Sequence, residues 1–257
     1  MKILFIGDIC GKQGIDYFIE KINFLKKKYQ SHITIVNAEN ANDGECLNFD
    51  NYQNLILSGV DMITTGNHYL NKKNVENIIG IDNIIRPLNL IDENIDNFGY
   101  KIIKYKKKRI LIMNALGKVF MNKKDKLTCP FKKIENILNI CDKKYDYSFL
   151  DFHAEATSEK IALAHYFDGK IDAIIGTHTH VQTNDDTILP NKTLYISDAG
   201  MTGPYEGVIS KDKDIVIHNF LYEKKKKNKI SKGKRQLNGV VVNLGNNKNI
   251  KKINFRE

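Results

Sequence analysis

Apolar runs bounded by Gly, Asn, Asp or Pro recur along the chain at intervals of about 25 to 35 residues. They predict strands over 2–7, 32–38, 61–65, 84–86, 100–105, 109–114, 147–152, 171–177, 193–197 and 238–244. Between several of these runs the apolar spacing changes to that of a helix. Residues 14–29 put Ile15, Phe18, Ile19, Ile22 and Leu25 on one stripe, and residues 131–141 do the same with Phe131, Ile134, Ile137, Leu138 and Cys141. Residues 158–167 and 211–222 are further helical candidates. Early strands alternate with helices, which is the pattern of an α/β protein with a mostly parallel sheet. The strands at 100–105 and 109–114 are separated only by Lys106, Lys107 and Lys108 and read as a hairpin, so the sheets are expected to be mixed. No linker, internal repeat or clear domain boundary interrupts the series.

Composition narrows the picture. Hydrophobic residues make up 42% of the 257 and charged residues 27%, close to the globular average, which excludes wholesale disorder. No run approaches the roughly 18 apolar residues of a membrane helix. The short apolar stretch after Met1 ends at Asp8, unlike a secretory leader. The cysteines, Cys10, Cys46, Cys129 and Cys141, form no CxxC pair, and a reduced, cytoplasmic chain is expected.

The formal charge of +10 suggests a negatively charged partner. Two facts temper this. Basic residues are 36 Lys to only 4 Arg, alongside 36 Ile and 29 Asn, a bias that A/T-rich codons give to any protein. Residues 224–235 hold eight basic residues and no acid, and without them 32 basic residues face 30 acidic ones. That segment reads as a solvated loop or hairpin tip, with nucleic-acid contact as the alternative.

The informative polar residues stand where strands end. Five predicted strands run into Gly7-Asp8, Asn37-Ala38-Glu39-Asn40, Gly66-Asn67-His68, Asp151-Phe152-His153-Ala154-Glu155 and Thr177-His178-Thr179-His180. In an open α/β sheet the carboxyl ends of the strands converge on one crevice. This would gather Asp8, Glu39, Asn40, Asn67, His68, His153, His178 and His180, a set of oxygen and imidazole donors suited to Mn, Fe or Zn. So many donors exceed the need of one tetrahedral ion and point to two, about 4 Å apart around a shared carboxylate, with Asp8 or Glu39 as the bridge. In an extended His-x-His the alternate side chains point the same way. Taken singly, a His at a strand end is more often structural, and an Asp after a first strand is often a helix cap. Asp151 and Glu155 flank His153, and either could orient a ligand histidine.

The order Gly-Asp, Glu-Asn, Gly-Asn-His, His, His-x-His resembles the calcineurin-like metallophosphoesterases, and most closely their YmdB-type bacterial branch. The segments 3–8, 37–41, 151–160, 176–183 and 198–205 carry the likeness. It implies a single-domain αββα sandwich over 1–257, with two mixed sheets flanked by helices. It also implies a dinuclear centre of divalent or mixed-valence ions. Asp8, Glu39, Asn40 and His180 would hold one ion, and Glu39, Asn67, His153 and His178 the other. Three positions depart from the superfamily pattern: Cys10 where many members carry a His, Glu39 as the bridging carboxylate in place of Asp, and Tyr69 where an acid usually orients the preceding His.

The activity implied is phosphodiester hydrolysis by attack of a metal-bridging hydroxide, with cyclic nucleotides (2′,3′ or 3′,5′) as substrates. His68 is the candidate general acid. The loop containing Thr202, Gly203 and Tyr205 either lines the pocket or is a plain turn. The resemblance also suggests self-association into a homo-oligomer. Two other readings stay open. One is an RNA or DNA phosphodiesterase guided by residues 224–235, and the other a non-catalytic RNA-binding regulator with structural metals. An amidohydrolase-like barrel fits the hairpin and C-terminal strands poorly.

Overall fold

A computed structural model describes residues 1–70, 78–91, 99–121 and 124–257. The strands, in chain order, are β1 Lys2–Ile6, β2 Ile33–Asn37, β3 Met62–Thr64, β4 Ile84–Ile85, β5 Tyr100–Tyr105, β6 Lys108–Leu116 and β7 Tyr147–His153. They continue with β8 Ala173–Thr177, β9 Thr187–Ile188, β10 Leu194–Ile196, β11 Gly203–Pro204, β12 Arg235–Asn243 and β13 Asn249–Arg256. The helices are α1 Gly11–Tyr29, α2 Phe49–Leu57, α3 Pro130–Ile140, α4 Thr157–Tyr166 and α5 Lys213–Leu221. No helix among the described residues is long and apolar enough to cross a membrane.

Two mixed sheets result. The first runs β11-β12-β1-β2-β3-β4, with β13 also paired to β12; β1 to β4 are parallel, and β12 is antiparallel to β1. The second runs β5-β6-β7-β8-β10-β9, parallel from β6 to β10, with antiparallel strands at both edges.

Side chains alternate across a strand, so a sheet covered on both faces reads as a continuous apolar run. In β1, Ile3 and Phe5 point between the sheets, where they meet Ile110, Ile112, Phe149, Ile175 and Ile196 of the second sheet. Leu4 and Ile6 point the other way, against Phe18, Ile22 and Leu25 of α1 and Leu55 of α2. On the outer face of the second sheet, Leu111, Met113, Leu150 and Phe152 pack against α3 and α4 through Ile134, Ile137 and Leu163. The layers are therefore helix, sheet, sheet, helix.

Several sequence expectations are adjusted. The last predicted strand starts earlier, at Arg235, because Arg235 is held by Glu20 and Glu257 instead of lying in the basic loop. The lysines at 224–227 are exposed in the connection between α5 and β12, a loop and not a hairpin tip. Besides the two-residue strands β9 and β11, two longer elements were not anticipated. In β13 polar residues, including the adjacent Lys251 and Lys252, break any regular alternation and Ile253 is the one deeply buried side chain, so its apolar signal is weak. In α2 only Leu55 is buried, and the helix starts on an Asn48 side chain that accepts the Asn51 N–H.

Phe5 and Phe149 meet at the centre of the intersheet core, with ring centroids 5.3 Å apart. Phe149→Ala should cost about 3–5 kcal/mol in urea unfolding. Leu57→Ala, at an 85% exposed position, should stay within about 0.5 kcal/mol.

Candidate metal centre

All five polar strand ends meet at one edge of the sandwich. Asp8 follows β1, and its Oδ2 accepts the backbone N–H of His178 at 2.8 Å, which ties the first sheet to the second. Glu39 follows β2; its Oε1 lies 3.2 Å from His153 Nε2 and 3.1 Å from His68 Nδ1, and its Oε2 accepts the His68 N–H at 3.0 Å. Asn67 places Oδ1 3.1 Å from His153 Nε2. His178 Nδ1 is 3.0 Å from the same nitrogen. His180 Nε2 sits 3.2 Å from Asn40 Nδ2 and 3.9 Å from Asp8 Oδ2. The eight residues expected from the sequence are thus brought together, and Glu39, His153 and His178 offer ligand atoms within 4.8 Å of one another.

The His-x-His geometry differs from the extended form expected. β8 stops at Thr177, and His178 and His180 adopt positive φ of 106° and 67°. Such backbone costs about 1–3 kcal/mol per residue and persists only where the surroundings enforce it. Two buried carboxylates supply that enforcement. Asp8 takes the His178 N–H, and Asp198 takes the N–H of Thr179 at 2.9 Å and of Gly200 at 2.8 Å. Asp198 is itself paired at 2.9 Å with Lys160, 2% exposed, from α4. Lys160 and Asp198 stand in recognisable sequence motifs, but their pairing across 38 residues is a tertiary fact.

A second network fixes His153. Asp151, on the same strand, is fully buried. One of its oxygens accepts from Asn37 Nδ2 at 2.8 Å and from the Thr64 hydroxyl, and the other accepts from the Thr177 hydroxyl at 2.7 Å. The Asn37 amide cannot be turned round, because its Oδ1 accepts the Glu39 N–H at 3.0 Å. Thr177 has one hydroxyl proton, and it goes to Asp151. Towards His153 Nδ1, 2.9 Å away, Thr177 can only accept. His153 therefore carries hydrogen on Nδ1 and turns Nε2 into the site. Glu155, 3.1 Å from His178 Nε2, similarly directs Nδ1 of that ring inward. Thr64, Thr177 and Asn37 were not singled out from the sequence. Their only trace there is a polar residue closing an otherwise apolar strand.

The donor set fits divalent cations. Asp8 Oδ1 is buried without a hydrogen-bond partner among the described residues. The inner nitrogen of His178 and the oxygens of Asn67 and Glu39 stand 3.0, 3.1 and 3.2 Å from His153 Nε2, a crowding of donors that needs a proton or a cation between them. Gly66 leaves the necessary room, since a Cβ there would overlap Glu39 Oε2 and stand 2.5 Å from His153 Nε2.

The protonation pattern agrees. Burial pushes Asp8 up to about 6, partly offset by His153 and His180. Burial also acts against the charge of Glu39, but His153 and His68 outweigh it and hold Glu39 well below the usual carboxylate range. His153 resists charge through burial, yet Glu39 and Asp8 raise it to about 8. Burial and His153 bring His178 down to about 3, leaving it a neutral donor.

The remaining expected residues divide. Thr202 and Gly203 are buried: Thr202 N donates to the Asp8 carbonyl at 2.9 Å, and Gly203 begins β11. Tyr205 is half-buried and lines a cavity beside His180. Cys10 Sγ lies 3.4 Å from the Asp8 carbonyl and 3.8 Å from His180 Nδ1. The group orienting His68, where Tyr69 replaces the usual acid, is Glu39.

A two-sheet sandwich with carboxylate, amide and imidazole donors at its strand ends defines a metallophosphoesterase, a hydrolase of phosphoric esters. The YmdB-like protein family matches residues 4–255, and the chain belongs to that family. It is 42% identical over 245 residues to the 2′,3′-cyclic-nucleotide 2′-phosphodiesterase of Bacillus subtilis, covering 95% of this chain and 91% of the relative. A crystal structure of a Mycoplasma pneumoniae phosphatase is similar with a TM-score of 0.90 at 37% identity, covering 100% of this chain and 93% of that one. A protein of Thermus thermophilus is similar with a TM-score of 0.92 at 32% identity over 100% of both chains.

Thr177→Val removes the acceptor that holds His153 in place. Mn2+ affinity, read by equilibrium dialysis, should fall about 10–100-fold. In chelator-treated protein His153 keeps a proton up to a pH of about 8. Loading must displace it, so Mn2+ affinity should weaken as pH falls below 8, by up to about tenfold per unit. An affinity flat between about pH 6 and 8 would contradict the assignment of His153.

Proposed function

We propose that the chain is a dinuclear-metal phosphodiesterase acting on cyclic nucleotides, with 2′,3′-cyclic esters as the first substrates to test. The observation carrying this reading is the convergence of eight polar side chains, with Asp8 Oδ1 and the inner nitrogens of three histidines left facing a shared space. The similarity to the Bacillus subtilis enzyme supports the substrate class.

Asp8, Glu39, Asn40 and His180 would hold one cation, and Glu39, Asn67, His153 and His178 the other, with Glu39 shared. Such a pair screens phosphate charge and acidifies water enough for attack near neutral pH, and the oxygen-rich, thiolate-free donor set suits Mn, Fe or Zn. The rest is the work of the chain. Asp198 and Lys160 keep the His178–His180 loop in its strained form, and Asp151 with Thr177 fixes the direction of His153.

His68 is the proton donor to the leaving oxygen. Burial opposes its charge, but Glu39, whose Oε1 lies 3.1 Å from its Nδ1, raises its pKa and so favours the protonated ring that a proton donor needs. It is also 40% exposed, which leaves its other nitrogen free to reach an ester oxygen.

Protein reconstituted with Mn2+ or Fe2+ should hydrolyse 2′,3′-cyclic nucleotides faster than linear dinucleotides or RNA. Glu39→Gln and His178→Ala should lose both metal and turnover. His68→Ala should keep its metal while kcat falls about 10²–10⁴-fold. Metal-loaded protein inert towards every phosphodiester would instead favour a binding protein with structural metals.

A further inference from the structure

Beside His180 the site opens into a cavity of about 250 Å3. Its floor is a continuation of the first sheet. In the β12–β13 ladder Gln236 is opposite Arg256 and Asn238 is opposite Asn254. Residues two apart along a strand share a face, so the four side chains form a two-by-two polar panel. The next rows along this face of β12, Val240 and Val242, belong to the apolar core between the sheets. The register thus turns from apolar to polar as it passes the edge of the core and reaches the metal centre. Packing does not demand that change.

The panel is partly committed and partly free. Asn254 Nδ2 donates to Asn238 Oδ1 at 2.9 Å, and Gln182 Nε2 anchors the floor on the carbonyls of Ala199, Gly239 and Ile253. Gln236 is 7% exposed, and its side-chain amide makes no hydrogen bond among the described residues. Arg256 makes no ion pair among the described residues, whereas Arg235 and Arg109 both face carboxylates. Its guanidinium lies 5.3 Å from the centroid of the Tyr205 ring, which also lines the cavity. Across the opening, Val181 and Ile209 are 60% and 51% exposed. Ile209 holds the unusual φ of 43° while its carbonyl contacts His180 Nδ1 at 3.2 Å.

We propose that this cavity is the nucleobase subsite of the enzyme. A planar cation over a phenol ring, free amide groups that can donate and accept, and apolar edges at the mouth match the two surfaces of a base. Its faces need stacking, and its edge needs hydrogen bonds. The base lies against the Arg256–Tyr205 pair, Gln236 and the side-chain oxygen of Asn254 meet its edge, and Val181 and Ile209 cover the ribose side. The phosphate then falls beside His180. The proposal rests on the phosphodiesterase reading and adds which part of the substrate each wall recognises.

The test compares adenosine 2′,3′-cyclic phosphate with ribose 2′,3′-cyclic phosphate, which lacks the base, on the full metal-reconstituted chain. The wild-type protein should prefer the nucleotide in kcat/KM. Arg256→Ala and Tyr205→Leu should each reduce that preference about tenfold or more, the size expected for losing one stacking surface. An unchanged preference overturns the proposal. This holds whether both rates stay as they were, so that the cavity is unused, or both fall together, so that Arg256 grips phosphate instead of base. Adenosine binding, read by NMR titration, is the second measurement: it should saturate the wild-type protein and be at least about tenfold weaker with Arg256→Ala. Equal binding to both, or to neither, overturns the subsite. If neither ester is turned over, the phosphodiesterase reading fails, while the adenosine titration still decides the cavity.

Discussion

A single buried carboxylate, Asp151, joins the two sheets beneath the metal centre. It takes hydrogen bonds from Asn37 and Thr64 of the first sheet and from Thr177 of its own, in a place closed to solvent. An uncompensated charge there would be very costly. Both its oxygens are satisfied, so the interaction sets how far apart the strand ends stand. It also acts outward. By taking the only hydroxyl proton of Thr177, it makes that residue an acceptor for His153 Nδ1 and turns the other ring nitrogen to the site. Fold and function share this one anion.

The centre above it stores unfavourable energy. Two carboxylates and three imidazoles are crowded together, and two histidines sit on left-handed backbone. Neither feature is stabilising, and the surroundings have to enforce both. The hydrophobic layers supply most of that stability, while the Lys160–Asp198 pair holds the strained loop locally. A buried ion pair is a weak source of net stability. Here its visible consequence is position: it fixes the backbone of Thr179 and Gly200 on either side of the donors. A bound cation would take the place of the proton that these crowded donors otherwise share.

Much of this was legible in the chain. The double-faced apolar runs of β1, β2 and β7 identify strands buried on both sides, and the amphipathic stripes of α1 and α3 identify the covering helices. The donor residues could be named because each directly follows such a run, and strand ends converge in any parallel sheet. Other parts were hidden. β13 is an edge strand in which polar residues interrupt the apolar pattern irregularly, and its role as half of the polar panel depends on pairing with β12. Thr64 and Thr177 look like ordinary strand residues until Asp151 is placed between them. The positive φ of His178 and His180 has no sequence signal, because histidine carries none of the permissiveness of glycine.

The sequence by itself determined the strands and helices and which side chains can supply donors, since both follow from local periodicity and from where an apolar run ends; the two-sheet layering was implied by the family resemblance. Only the tertiary structure decided which ring nitrogen faces inward, which carboxylate restrains which loop, and where the sheet face turns polar. Those outcomes depend on hydrogen bonds between residues as much as 170 positions apart, as in the Asp8–His178 contact. A hydrogen bond needs its partners placed to a fraction of an ångström, and a linear pattern of apolar and polar positions does not hold that information.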